Sequence, residues 1–418
     1  MAFLGKRQAS RIKASRAAEL APCRIHSTMA AVSGFLKKCL LAYGLGLLAA
    51  FLAAPHAANA QTRSPAGLDS ADSLYKDAGD AYDRGDVVQA IALYQKLVAM
   101  RPEFVEARTN FGVALAHVGR YDDAIAQYRE ALKFDRKNPL VRLNLALAWY
   151  KQADFVRAAD ELTELRKDHP EGQQSLYLLA DCDLRLGKNR EAATLLQPAY
   201  EVNPEDRAID YALGTALIRD GQVEKSEVII DRILKRGDSP EVKLLMGAAR
   251  LAGGDAKKAI PTIRNALDMN PDLPGGWSLY GQALQDGGED DEARTAFRRA
   301  LQSDPNDFDA NLRLGAGLRH DGSYEEAAPY LDRALQLRPG SIPARYQVGA
   351  LNLARGQLAP ARRDLEQVER DSPDFQEVHV QLASLYARLG LAADSKRERA
   401  IILKLDEKSR AKGPQPNE

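Results

Sequence analysis

The sequence predicts an all-α solenoid of about ten helix–turn–helix repeats, and three registered positions predict it. Small residues recur every 34 positions: Ala78, Gly112, Ala146, Ala180 and Gly214, then, after one 33-residue step, Gly247, Gly281, Gly315, Gly349 and Ala383. A second marker follows each at fixed distance: Gly85, Gly119, Gly187, Gly221, Gly254, Gly288, Gly322, Gly356 and Gly390, with Ala153 alone departing. A helix that stops and reverses often passes through a left-handed backbone conformation, which glycine adopts without steric cost. The third marker is Pro102, Pro170, Pro204, Pro271, Pro305, Pro339 and Pro373. Proline cannot continue a helix, so each ends the second helix of its unit. One such residue is ordinary; a registered set at this period marks stacked helical repeats.

The frame divides the chain at 71–104, 105–138, 139–172, 173–206, 207–239, 240–273, 274–307, 308–341, 342–375 and 376–409. Each unit has a first helix, A, and a second helix, B, with apolar residues at helical spacing. Helix B carries a small residue at the twentieth position: Ala90, Ala124, Ala158, Ala192, Ser226, Ala259, Ala293, Ala327, Ala361 and Ser395. These are expected to face the small residues of helix A, so that the two axes approach closely. Larger residues fill the gaps: Leu74, Leu176 and Trp277 at the fourth position, and Tyr94, Tyr128, Phe297 and Leu331 at the twenty-fourth. Repeat 207–239 departs from the pattern. It is one residue short, has Ser226 for alanine and reaches Asp238 without a proline, so a local change of superhelical twist is expected there. In the last repeat Lys396, Arg397, Glu398 and Arg399 are charged, while Ile401, Ile402, Leu403 and Leu405 keep an apolar stripe. That pattern reads as the solubilising cap a terminal repeat requires.

The N-terminal segment 1–60 has a different composition. It holds eight Lys/Arg against one acid, Glu19, and leaves the remainder with 50 basic and 57 acidic residues, a net −7. A mildly acidic body argues against nucleic-acid binding, which needs a basic stripe. Lys37 and Lys38 precede an apolar run from Cys39 to Ala54, and Ala58-Asn59-Ala60 supplies a small-x-small cleavage site before Gln61. These are the three parts of a secretory signal peptide. Export, most simply to a periplasm, is therefore expected, with cleavage after Ala60. An uncleaved anchor over 39–60 is the alternative, although the run is short for a span of about 20 apolar residues. Met29 begins a complete signal peptide by itself, so translation could start there. No stable membrane span is expected after cleavage. Residues 61–70 read as a flexible leader and 410–418 as a polar tail. The mature chain keeps one cysteine, Cys182, whose repeat position favours a small buried residue rather than a redox or metal role.

Repeat 274–307 carries Trp277, Leu279, Tyr280, Gly281, Ala293, Phe297, Ala300 and Pro305. On these residues the array 71–409 resembles the tetratricopeptide repeat (TPR) family. The resemblance implies a right-handed superhelix whose A helices line the concave side, with positions 2, 5, 6, 9, 12 and 13 facing a partner. Position five includes Tyr75, Tyr177, Tyr211, Leu244 and Tyr346; position six includes Asn110, Asn144, Leu178, Leu245, Leu279 and Arg313. The groove is thus expected to be polar at both ends and apolar in the middle. Tyr177, Leu178, Tyr211, Leu244, Leu245 and Leu279 would form a semi-exposed band, flanked by Arg185 and Arg219 at position thirteen and suited to an acidic group on a ligand. The alternative is that these leucines pack neighbouring A helices together. Asn110 and Asn144 could hold a peptide backbone, since an amide both donates and accepts. They resemble the groove asparagines of O-linked N-acetylglucosamine transferases, in two rungs only. No window supplies the carboxylate clamp of chaperone-binding members.

No catalytic constellation is legible. His117, His169, His320 and His379 lie in different repeats, none paired with a cysteine or carboxylate at metal-ligand spacing. There is no phosphate loop or nucleophile elbow. The expectation is a protein-binding scaffold with no enzymatic activity, no cofactor and no metal. Its partner would be another protein or peptide, in assembly of a pilus, secretion or polysaccharide-export apparatus. Self-association and glycan binding are the alternatives.

Overall fold

The structure, a computed structural model, describes residues 66–203 and 205–411. The expected signal peptide, the start of the leader, Pro204 and the end of the tail lie outside the described residues. Within them the chain forms twenty helices in ten consecutive pairs, with no strand among the described residues. The first five pairs are α1 (Ala66–Asp83) and α2 (Val87–Met100), α3 (Val105–His117) and α4 (Tyr121–Phe134), α5 (Pro139–Lys151) and α6 (Phe155–Asp168), α7 (Gln173–Leu186) and α8 (Asn189–Val202), and α9 (Arg207–Arg219) and α10 (Val223–Leu234). The second five are α11 (Pro240–Ala252) and α12 (Ala256–Met269), α13 (Gly276–Asp286) and α14 (Asp290–Ser303), α15 (Phe308–His320) and α16 (Tyr324–Leu337), α17 (Ile342–Ala354) and α18 (Leu358–Asp371), and α19 (Gln376–Arg388) and α20 (Ala392–Ala411). Helix α1 begins inside the segment read as leader, and α20 runs into the segment read as tail. No helix among the described residues is long and apolar enough to cross a membrane.

Local chemistry sets the ends of these helices. The side chains of Asp86, Asn138, Asp154, Asp206, Ser239, Asp255, Asp307 and Ser341 each accept a backbone N–H from the first turn of the helix they precede. This satisfies donors that have no partner inside the helix. At the A–B turns every registered glycine has positive φ, between 75° and 85°, as expected. Ala153 takes the same conformation, at φ 59°, and is the one described non-glycine residue with positive φ.

Packing inside each repeat is small against large. A Cβ added to Gly112 would sit 2.4 Å from Tyr128, one on Gly247 2.4 Å from Ile263, one on Gly281 2.6 Å from Phe297, and one on Gly315 2.7 Å from Leu331. The side chain seated on each glycine is therefore the twenty-fourth of the repeat. The small twentieth residues are buried as well, and in the last repeat Ser395 donates to the carbonyl of the small helix-A residue Ala383 at 2.8 Å. Positions twenty and twenty-four lie one turn apart on the same face of helix B, and the larger one reaches across.

The shortened repeat is different. A Cβ on Gly214 would meet Leu245 Cδ1 of α11, in the next repeat, at 3.2 Å, before Ile229 of its own helix B at 3.6 Å. With one residue missing, α10 has 12 residues where most B helices have 14. Helix α9 then packs on α11 more extensively than any other two successive A helices do. Buried Asp210, 2.7 Å from Arg236 Nη1, ties α9 to the end of this repeat. Farther along the chain, Phe308, Ala334, Leu337 and Ala344 belong to the same buried cluster as Leu179 and Cys182. The fourth and eighth repeats, distant along the chain, are in contact.

Ala153 sits in a left-handed conformation that costs an L-residue roughly 1–2 kcal/mol, against an entropic cost of about 0.5–1 kcal/mol for glycine. Ala153→Gly is expected to raise stability by about 0.5 kcal/mol, read as a higher urea midpoint by circular dichroism. A lower midpoint would show that the buried methyl outweighs the strain.

Candidate functional site

Most successive A helices touch one another, and no B helix packs comparably on the next B helix. The A helices therefore line the inner, concave side. The sequence-predicted groove residues lie on it in three distinct settings.

At the N-terminal end Asn110 Nδ2 donates to the Tyr75 hydroxyl at 3.0 Å, and the Tyr75 ring lies 5.1 Å from Phe104. The next rung, Asn144, is half-buried, with its amide nitrogen enclosed and unpartnered. The two asparagines do not form a continuous open ladder.

The middle is not the semi-exposed apolar band expected from sequence. Leu178, Leu244 and Leu245 are 3, 4 and 2% exposed, packed into the joints between repeats. Tyr177, Tyr211 and Leu279 are half-buried. The Tyr177 hydroxyl donates to Asp206, the residue that caps α9. Burial pushes the Tyr211 hydroxyl up to about 12. Close packing of A helices around the shortened repeat is the reason.

At the C-terminal end one face of the last helix pair is left uncovered by the described residues. Val380 holds the same repeat position as Leu244 but is 49% exposed. Together with Ala383, Ser384, Ala387, Arg388, Arg399 and Ile402 it lines an open depression of about 550 Å³. Tyr346 stands edge-on to Phe375 at 5.0 Å, and Arg313 donates to Gln285 at 2.8 Å.

The two predicted arginines part company. Arg219 is exposed. Arg185 is largely buried and spent inside the molecule: Nε donates to Asp181 at 2.8 Å and Nη1 to Asp304 at 3.0 Å, 119 residues away. Its guanidinium lies 5.1 Å from the Phe155 ring centroid and 5.6 Å from that of Tyr150. Burial disfavours its charge, but Asp181, Tyr150 and Asp304 more than restore it. Beside it Arg338 donates to the carbonyls of Arg185 and Leu184 at the end of α7, the second of which also accepts the Gly187 N–H, and stacks 3.8 Å over Phe308. Burial pushes Arg338 down to about 10. The acidic group expected opposite Arg185 is thus present, and it belongs to this chain. Asp304, Phe308 and Arg338 were not predicted from sequence. Asp304 and Arg338 share a repeat position that also holds Arg101 and Asp135, so nothing local marks them.

One histidine corrects the sequence reading. His379 Nδ1 lies 2.8 Å from Glu398 Oε2, and Nε2 donates to the Pro373 carbonyl at 2.8 Å. Glu398, expected on a solvated cap, is fully buried and also bonded to Arg397 at 2.8 Å. Glu369 completes a group whose ligand atoms lie within 4.8 Å of one another. Three consecutive helices, α18, α19 and α20, bring these residues together, which spacing along the chain could not show. The 2.8 Å contact is a hydrogen-bond separation. A tetrahedral zinc between the same atoms would part them to about 3.3 Å, so the group reads as a proton-bridged clamp on the terminal helix.

Two sequence profiles, both described as tetratricopeptide repeat, match the chain. One covers 75–139, 244–308 and 279–342, and the other 115–182, 183–249 and 318–389. A TPR repeat-containing protein of Methanocaldococcus jannaschii is 21% identical over 213 residues, 51% of this chain and 35% of that protein. A TPR repeat-containing thioredoxin of Arabidopsis thaliana is 29% identical over 101 residues, 24% of this chain and 15% of that protein. The chain thus spans about a third or less of the length of the curated relatives it matches. Among solved structures, the Cut9–Hcn1 hetero-tetramer of the APC/C aligns with TM-score 0.52 and 16% identity, covering 81% of this chain and 75% of that one. A tetratricopeptide repeat protein from Parabacteroides merdae aligns with TM-score 0.50 and 19% identity, covering 60% and 99%. At these identities the structural matches establish the fold alone.

Asp183, on α7 two residues before Arg185, is buried, and desolvation raises its carboxyl to about 6. An acid whose folded pKa lies above its unfolded value weakens the fold once it must ionise; stability is lost as pH rises from about 4 to about 6. Asp183→Asn is expected to stabilise the protein by on the order of 2 kcal/mol at pH 7, an advantage that fades as pH falls from about 6 to about 4. Thermal melts of both proteins from pH 4 to 8 check this; a pH-independent difference would contradict it.

Proposed function

The chain belongs to the tetratricopeptide repeat family, and on that premise we propose that it is a protein-interaction scaffold holding a segment of another protein along its concave face. It performs no chemistry in this reading. The observation that carries it is the change of exposure at one repeat position, from 4% at Leu244 to 49% at Val380. The closed middle needs its leucines for its own joints; the last repeat leaves an equivalent apolar side chain open. Val380, Ala383, Ser384 and Ala387 form one stripe of α19 at helical spacing, with Arg388 and Arg399 beside it. Such a stripe suits an extended peptide or an amphipathic helix with acidic residues along its edge. The signal-peptide pattern of 37–60 supports an exported scaffold serving an envelope or secretion apparatus.

The test is photo-crosslinking from position 380 in the full chain, in the native cell background. A specific adduct is expected, and Val380→Glu is expected to abolish its capture. Val228→Glu, on helix B of the fifth repeat and 64% exposed, is expected to leave capture intact. Loss of capture with both variants, or with neither, would overturn the concave-face reading. Alkaline phosphatase fused after residue 70 is expected to be active; an inactive fusion would overturn export.

A further inference from the structure

The contact between the fourth and eighth repeats resembles a bound ligand more than a repeat joint. On one side is a receptor. Arg185 is walled by Tyr150 and Phe155 and oriented by Asp181. The carbonyls of Leu184 and Arg185 lie next to it at the end of α7. On the other side, in the seventh and eighth repeats, are Asp304 at the end of α14, Phe308 at the start of α15 and Arg338 at the end of α16.

We propose that this contact is an autoinhibitory clasp, in which Asp304 and Phe308 occupy from within the chain a site that takes an acidic–aromatic segment of a partner protein. Three observations carry it. First, the repeat frame does not fix these side chains, although Asp135 shares the position of Asp304 and the Asp304 carboxylate also accepts the Asn306 N–H at 3.0 Å. The first position of a repeat, where Phe308 stands, holds Gln173, Arg207 and Gln376 elsewhere, and the position of Asp304 holds His169, Asn270 and Ser372. Second, the joint is small beside any repeat interface. Its polar part is one ion pair and a guanidinium on two carbonyls; its apolar part joins Phe308 and Leu337 to Leu179 and Cys182. The Asp304 side chain is 36% exposed, so a competing carboxylate can approach Arg185 from solvent. Third, the clasp joins the walls of the groove itself. Asp181, Leu184 and Arg185 occupy positions nine, twelve and thirteen of the fourth repeat, which face the concave side, and Asp309 and Leu312 hold positions two and five of the eighth. With it shut, Leu178, Leu244 and Leu245 in the middle are covered, while Val380 at the C-terminal end is not.

The inference rests on the concave-face reading and adds its regulation and a partner chemistry: a carboxylate with an aromatic side chain four residues on, the spacing of Asp304 and Phe308. Binding of such a segment to Arg185 would displace the internal copy and open the groove.

The experiment uses the full chain and a fluorescein-labelled peptide copying residues 302–311. The receptor is vacated by Asp304→Ala with Phe308→Ala and Arg338→Gln; Asp304→Asn alone serves if the triple variant loses its helical circular dichroism. Small-angle scattering is expected to show a larger radius of gyration for the vacated protein. By anisotropy the peptide is expected to bind that protein at least tenfold more tightly than the native chain. Adding Arg185→Lys, or replacing the peptide's first aspartate by asparagine, is expected to remove that binding. An unchanged radius, or an opened protein that ignores the peptide, overturns the clasp. Either result leaves crosslinking at Val380 to judge the groove independently, and a failed crosslink leaves the peptide arm readable.

Discussion

The whole molecule depends on one steric fit: a residue without a side chain on helix A, covered by a large one from helix B. Where Gly281 meets Phe297 or Gly247 meets Ile263, there is no room for even a methyl group. This contact fixes how near the two helices lie, and hence the angle at which each repeat hands the chain to the next. Five repeats make this fit with glycine, at Gly112, Gly247, Gly281, Gly315 and Gly349, and four carry alanine at the same position. In the remaining one Gly214 meets Leu245 of the next repeat first.

Much of this was legible in the sequence because the determinants are local and repeated. The turn glycines, the caps and the alternation of small and large residues are set within a few positions of one another, and each is seen many times. Ala153 shows how far this goes: its left-handed backbone was implied by its register, against its own preference. The shortened repeat was legible as a deviation. What it does was not, because the residue that meets Gly214 first, Leu245, comes from the next repeat. The groove was misread for the same reason. Position six of a repeat tells which way a side chain points, but not whether the neighbouring helix has moved up to cover it. Leu178 and Leu245 were covered, and Val380 was not. The grouping of His379, Glu369 and Glu398 likewise follows from three helices meeting rather than from any spacing.

Arg185 illustrates how a correct physical reading can point to the wrong occupant. A guanidinium flanking an apolar surface does call for a carboxylate, and here one is supplied by Asp304. Arg219 stays exposed in the middle, and Val380 in the last repeat is 49% exposed. The molecule is therefore three regions in series: a partly internally bonded N-terminal arc, a closed middle and an open C-terminal arc finished by a buried ionic clamp.

The Arg185–Asp304 and Arg338–Arg185 contacts also alter how the chain can come apart. A solenoid is held by nearest neighbours, so it melts from its ends inward and its middle has no special cooperativity. A contact spanning 119 to 154 residues changes the arithmetic. Every repeat between its two ends becomes part of one closed loop, and none of them can unwind without either opening that loop or bearing the strain. The fourth to eighth repeats thus become a single foldon inside an otherwise divisible array. Forming it requires the intervening repeats to be in place first, since the entropy of closing so long a flexible loop would otherwise stand in the way. The last bond to form in folding is then the first that can be released without unfolding anything else.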